Sequence, residues 1–345
     1  MKPRLIHSAL FGVLLTCVAA STPALSDPLP APSTPLRDYL GVGVLQVDVP
    51  SGSANGSEGL SLVMPMRQAY VAPDRILLEM VVLGQNQVAL ATRDSERTWN
   101  TLSNYIVVRS FRNLDSNAPS PIPTARMSMA AIGRAIRDSD AGKLLPEENL
   151  DELKKKLQAR SDELTARRDK MKSEDTVEGI RKKNELAAEH SQVRDDLAQI
   201  EVRRKYPCLV VEFTNKEIAP VLLAKGLMRP GALPLIEKGK TTIWMTRAEG
   251  LPVKIVTTGN DGKNAIYGCF FDVQINGGLK AEQLNIRAPE GTRLLNVIVD
   301  LRNRNWEDQM ERDTATVTSR LEKEQERAVR DRATQQLNNG KQKKR

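Results

Sequence analysis

The stretch from Thr241 to Pro289 constrains the chain most. Apolar, β-branched runs (TTIWM, PVKIVTT, AIYGCFFDVQI) are separated by Glu249-Gly250-Leu251-Pro252 and by Asn260-Asp261-Gly262. Short apolar runs divided by Gly, Pro and Asn-Asp-Gly punctuation predict antiparallel hairpins rather than helices or crossover units. Nothing in this meander has the character of a catalytic loop. A curved sheet of this kind works by what its concave face holds.

The same pattern occurs earlier. Val44-Leu45-Gln46-Val47-Asp48-Val49 alternates in part, and Leu62, Met64 and Met66 recur at period two after the loose Ser/Gly/Asn turn at 50–59. Residues 76–83 are almost wholly apolar, which predicts a strand covered on both faces, and 87–91 and 105–108 continue the meander. Between these regions the chemistry changes. From Leu150 to Arg204 there is no Pro and one Gly, and Glu, Lys, Arg, Leu and Ala dominate. Leu150, Leu153, Leu157, Leu164 and Met171, then Leu186, Val193, Leu197 and Ile200, recur at helical spacing. This predicts an antiparallel helical hairpin with a narrow apolar seam, interrupted by Arg160, Arg167 and His190.

The expected organisation is a signal peptide at 1–26 and a Pro-rich linker at 27–35. One domain is built from 36–145 and 206–300, with a helical hairpin inserted at 146–205. A C-terminal helix at 301–335 and a basic tail at 336–345 complete it. Lys2 and Arg4 precede the apolar run Ala9–Ala20, and small residues follow, as in a secretory signal. That run is shorter than the roughly 20 residues a membrane span needs. Cys17 faintly resembles a lipobox cysteine, but Thr16 fits it poorly. The expectation is export to a periplasm. Loss of Lys2 and Arg4 lowers the net charge from +8 to +6. Cys208 and Cys269 remain, each in a predicted strand. They could pair if their strands are neighbours, or serve as two small buried hydrophobes.

The chemistry of catalysis is hard to find. His190 is the one histidine left after the signal and lies in a charged helix. No Cys/His cluster has metal-ligand spacing, Gly41-Val42-Gly43 lacks the third glycine of a dinucleotide loop, and no nucleophile–base pair is visible. No metal or cofactor is expected, and the chain is not expected to be an enzyme. Basic residues alternate with acidic ones and aromatics are scarce, which argues against nucleic acid. What remains is apolar surface: Leu62, Met64, Met66, Leu78, Met80 and Val82 on strands that share a sheet. Methionine adapts to irregular apolar chains, although any one of these could equally be an ordinary core residue. The tail Lys341-Gln342-Lys343-Lys344-Arg345 could touch anionic head groups.

Four segments together resemble the periplasmic outer-membrane lipoprotein carriers of the LolA-like superfamily. They are Ala72-Pro73-Asp74-Arg75-Ile76-Leu77-Leu78-Glu79, the turn and strand from Thr92 to Trp99, Ile243-Trp244-Met245 with Gly250-Leu251-Pro252, and Leu284-Asn285-Ile286 with Pro289-Glu290-Gly291-Thr292. Their order and spacing, over most of residues 40–297, carry the resemblance. It implies an α+β fold: an incomplete antiparallel β-barrel whose short helices plug a hydrophobic cavity. It implies non-catalytic carriage of lipid or lipoprotein acyl chains, with Leu62, Met64, Met66, Ile76, Leu78, Met80, Val82, Trp99 and Trp244 lining the cavity. The family's latch arginine precedes the strand-opening proline, where this chain has Ala72. Arg67 or Arg75 are the expected substitutes. The helical hairpin and the C-terminal helix are additions to the common pattern. The alternative reading is an envelope structural or interaction protein that binds a partner through residues 146–204.

Overall fold

The structure is a computed structural model and describes residues 29–49, 60–115, 120–139, 142–171, 177–224, 238–259, 262, 264–303, 305–320, 323, 327 and 330. The expected signal peptide, Cys17 and the tail at 341–345 lie outside these residues.

The fold is α+β. Six strands come first: β1 (Asp38–Val49), β2 (Leu60–Val71), β3 (Arg75–Val82), β4 (Gln85–Ala91), β5 (Ser95–Asn100) and β6 (Tyr105–Arg112). Two short helices follow, α1 (Pro123–Arg126) and α2 (Met129–Arg137), then the two-residue β7 (Lys143–Leu144). The long helices are α3 (Leu150–Lys170) and α4 (Val177–Lys205). Then come β8 (Cys208–Thr214), α5 (Asn215–Ala224), β9 (Lys240–Thr246), β10 (Pro252–Thr258), β11 (Asn264–Ile275) and β12 (Arg293–Asp300), with helical turns at 306–320.

The twelve strands among the described residues form one open, curved sheet in the order β12-β6-β5-β4-β3-β2-β1-β11-β10-β9-β8-β7. The centre is β1, which pairs antiparallel with β2 along one edge and with β11 along the other. Strands from both ends of the chain therefore share one sheet. The β3–β4 hairpin is a two-residue turn with Leu83 and Gly84 both at positive φ, the conformation whose twist matches the flanking strands. One pair departs from the expected antiparallel pattern: β12 runs parallel to β6. After β11 the chain crosses one face of the sheet through 276–292 before entering β12. A crossover of this length permits a parallel pair, whereas a tight hairpin forces an antiparallel one.

The sheet has two covered faces. On the inner face, Met64, Met66, Tyr70, Ile76, Leu78, Met80, Val82, Tyr39 and Phe270 form the main core with Ile122, Met129 and Ala130 from the α1–α2 region. Trp306, Met310 and Val317 of the helical turns at 306–320 pack on the same core. On the outer face the crossing segment buries Leu284 against Ala69, Leu77, Val88 and Leu90. Further along that face lie Val44, Tyr267 and Cys269, and α4 packs over β11 there.

Helices α3 and α4 run antiparallel, as their ladder of contacts shows: Arg204 to Asp151, Lys154 to Glu201, Arg160 to Glu189, and Leu164 packed with Leu186 and Val193. His190 faces Ser161 and Thr165 at 3.3 and 3.4 Å. The seam is narrow, and most of the surrounding ion pairs are solvated and of small worth.

Candidate functional site: a lidded inner face

Alternation builds the inner face. On β2 the even residues from Leu62 to Tyr70 point inward, and on β3 Ile76, Leu78, Met80 and Val82 do. Met66 pairs directly with Met80, and Gln68 with Leu78. All seven expected lining residues on these strands are buried. Side chains from the α1–α2 region, which forms a lid over this face, join six of them in one core cluster.

Two polar anchors fix that lid. The Gln68 amide oxygen accepts the Met129 backbone N–H at 2.9 Å and the Tyr39 hydroxyl. Met129 opens α2, so this bond satisfies one of the orphan donors of a helix N-terminus; the Ser128 hydroxyl caps another by accepting from Ala131 N–H at 3.1 Å. Burial pushes the Tyr39 phenol far above its ordinary range, which keeps it a neutral donor. The second anchor is Glu96, almost wholly buried. It accepts the Thr124 hydroxyl and the Thr124 N–H at 3.2 Å, and also Arg109 Nη1 at 2.9 Å. Arg109 Nε in turn donates to Thr314 at 3.4 Å, and Arg126 lies 3.8 Å from Glu307, so the lid also ties to the C-terminal helical turns.

The far end of α2 docks on the β9–β10 turn. Arg137 Nη1 donates to Glu249 O at 3.1 Å. A Cβ on Gly133 would stand 2.4 Å from Gly250 O, so only glycine lets α2 sit this close. The Gly-Leu-Pro segment singled out in the sequence is thus the seat of the lid helix.

Several expected site residues lie elsewhere. Arg67 and Arg75 are odd-numbered on the outer face and do not latch the lid. Arg67 pairs with Glu79 at 2.9 Å, and Arg75 Nη2 donates to Leu284 O at 2.9 Å, holding the crossing segment. Trp99 pairs with Val88, which is an outer-face position, so it packs with Leu77 and Leu90 rather than with Met64. Trp244 touches the edge of the main core, but its indole N–H donates to Glu148 at 2.7 Å beneath the long helices. Cys208 and Cys269 are free thiols. Their strands β8 and β11 are separated by β9 and β10, an offset of about 14 Å at ~4.8 Å per strand, whereas a disulfide needs Cα atoms within about 7 Å. Burial pushes both thiols up to about 12, so neither is a reactive thiolate.

A second polar cluster fastens α4 to the outer face. Asp196 accepts the Lys254 ammonium and the Tyr267 hydroxyl, the latter at 2.8 Å. Lys254 lies 4.7 Å over the Trp244 ring, which also faces Arg203 at 5.9 Å. Beside it, burial and then Asp196 push the Asp195 carboxyl up to about 6. Among the described residues no three His, Cys, Asp or Glu side chains gather as metal ligands, and no helix is long and apolar enough to cross a membrane.

The residues missed from sequence are Gln68 and Glu96. Gln68 carried a signal: it is the polar member of an otherwise apolar period-two row, Leu62, Met64, Met66, Gln68, Tyr70. A polar side chain on a buried face must find a partner. Its partner, Met129, is remote in sequence and could not be read.

No family model and no curated protein matches the chain. Among solved structures, it aligns with an uncharacterized conserved protein from Thermus thermophilus at 10% identity and TM-score 0.32, over 76% of this chain and 91% of that one. It aligns with the Pseudomonas aeruginosa MucA/MucB complex at 11% identity and TM-score 0.30, over 75% and 58%. It aligns with a domain described as outer-membrane lipoprotein-sorting from Vibrio parahaemolyticus at 10% identity and TM-score 0.23, over 72% and 89%. Scores at this level do not establish a common fold.

Proposed function

We propose that the chain is a non-catalytic, exported binding protein that takes an acyl chain of a lipid or lipoprotein onto its inner face when α1 and α2 lift. The observation that carries this reading is the pairing of a methionine-rich sheet face with a lid fixed by a few directional polar bonds. Met64, Met66, Met80 and Met129 repack at little cost around a chain of irregular shape. Each methylene transferred from water contributes about 0.8 kcal/mol, so an acyl chain can replace the apolar contacts that Ile122, Met129 and Ala130 withdraw. The signal-like N-terminus and the resemblance to the lipoprotein carriers support a periplasmic setting.

Gly133→Ala tests it. Alanine gains about 1 kcal/mol of helix propensity over glycine, but its Cβ meets the Gly250 carbonyl at 2.4 Å, and a backbone clash outweighs that gain. The expected outcome is a looser lid and faster uptake of a fluorescent fatty-acid probe than in the wild type, with bound lipid seen by native mass spectrometry. If neither protein takes up acyl probes or carries lipid from its host, the carrier reading fails.

The second reading, a partner-docking protein, is favoured by Ile180, a large apolar residue near the start of α4 that is 52% exposed. Retention of partner capture in a variant that binds no lipid would select it.

A further inference from the structure

We propose that two copies of this chain join edge to edge through β12, antiparallel about a two-fold axis at Asn296, and continue the sheet across the dimer. The two ends of the sheet differ. At one end β7 has two residues, a short edge of the kind that blocks further pairing. At the other, β12 has eight residues in unbroken register with β6, and it contains no Pro, Lys or bulge. Among the described residues no strand pairs with its far edge.

The backbone fixes which groups face out. Arg293 N–H bonds Asn104 O, and Leu301 N–H bonds Arg112 O. The odd residues of β12 therefore aim their N–H groups at β6, and Leu294, Asn296 and Ile298 aim theirs at the open edge. The side chains of these same residues lie on the exposed face, with Leu294 59% and Ile298 53% exposed. The contacts of the helical turns at 306–320 run inward, Trp306 to Phe111 and Thr314 to Arg109.

A second copy suits this edge for a geometric reason. An antiparallel pair related by an axis normal to the sheet must join residues of the same parity. Centred on Asn296, it sets Leu294 against Ile298 of the other copy, Ile298 against Leu294, and Asn296 against Asn296. Each pair exchanges two backbone hydrogen bonds. Both apolar residues left exposed on the strand gain apolar partners, and the buried Val297 stands opposite Leu295 on the inner side. The strand ends bring Arg293 near Asp300, but Asp300 already holds Arg302 at 2.8 Å, so charge adds little. Recognition rests on the backbone ladder and the two Leu–Ile pairs.

Two measurements on the full exported chain test this. Sedimentation over a concentration series should show a monomer–dimer equilibrium, and Leu294→Lys/Ile298→Lys, which sets lysine against lysine twice, should weaken it at least about tenfold. Both positions are exposed, so an unchanged thermal melt verifies that the variant folds. Asn296→Cys should cross-link between copies on mild oxidation, because a bonded antiparallel pair holds its Cα atoms about 5.5 Å apart, within disulfide range. Leu102→Cys, exposed on the β5–β6 turn, should not. A protein that stays monomeric throughout, or cross-links equally at both positions, overturns the proposal; so does an edge that takes up only an added extended peptide.

Discussion

At the scale of single residues, the lid depends on groups that are polar where their neighbours are greasy. Gln68 serves Tyr39 and Met129 at once. Gln68→Leu keeps the volume and takes their acceptor from a buried hydroxyl and a helix N-terminal N–H. Each unsatisfied group costs about 1–3 kcal/mol, so the variant should lose at least that much stability in urea denaturation. Asp195 gives a pH signature. Its carboxyl is raised to about 6 from an ordinary value near 4, so the folded state holds a proton that the unfolded state releases. Stability therefore falls as pH rises between those two values and stays lowered above pH 6. Asp195→Asn should raise Tm above pH 6, and the gain should vanish as pH approaches 4. A gain that is the same at every pH would assign the effect to something other than ionisation.

At the scale of elements, the hairpins and long helices were legible because periodicity and punctuation are local signals. The predicted helical run from Leu150 to Arg204 corresponds to α3 and α4, and the apolar run at 76–83 to β3. Three things were not legible. The lid helix α2 is short and small-residue rich, and α5 carries Pro220 inside it, so neither reads strongly as a helix. The direction of β12 is invisible to alternation, which is the same for parallel and antiparallel strands. The face of Trp99 was inferred from resemblance; counting parity from Glu96, an inward residue, would have turned it outward. The clasp of α4 on the sheet is also an element-level property. Lys254→Met leaves Asp196 with the Tyr267 hydroxyl alone. Asp196 remains 24% exposed, so the loss should fall below the ~3–5 kcal/mol of a fully buried pair, at about 1–3 kcal/mol. Lys254→Met/Asp196→Leu should recover most of that loss, and a thermal double-mutant cycle measures the coupling.

At the scale of the whole molecule, the long helices cover part of the sheet. Helix α4 covers the outer face where Val44, Tyr267 and Cys269 are buried. Deleting 146–204 should therefore expose that face, increase binding of a hydrophobic dye and lower soluble yield, rather than leave a trimmed but intact sheet. An intact, well-behaved deletion variant would show the helices to be a dispensable appendage. The position of β1 has a consequence for timing. One of its edges is matched by β2 as soon as both are made, but the other waits for β11, which comes ten strands later. Until β11 has been made, the middle of the sheet has an unsatisfied rim. Closure over so long a loop is slow, and the rim is sticky while it waits. A chain with this layout gains from being held open until β11 has been made.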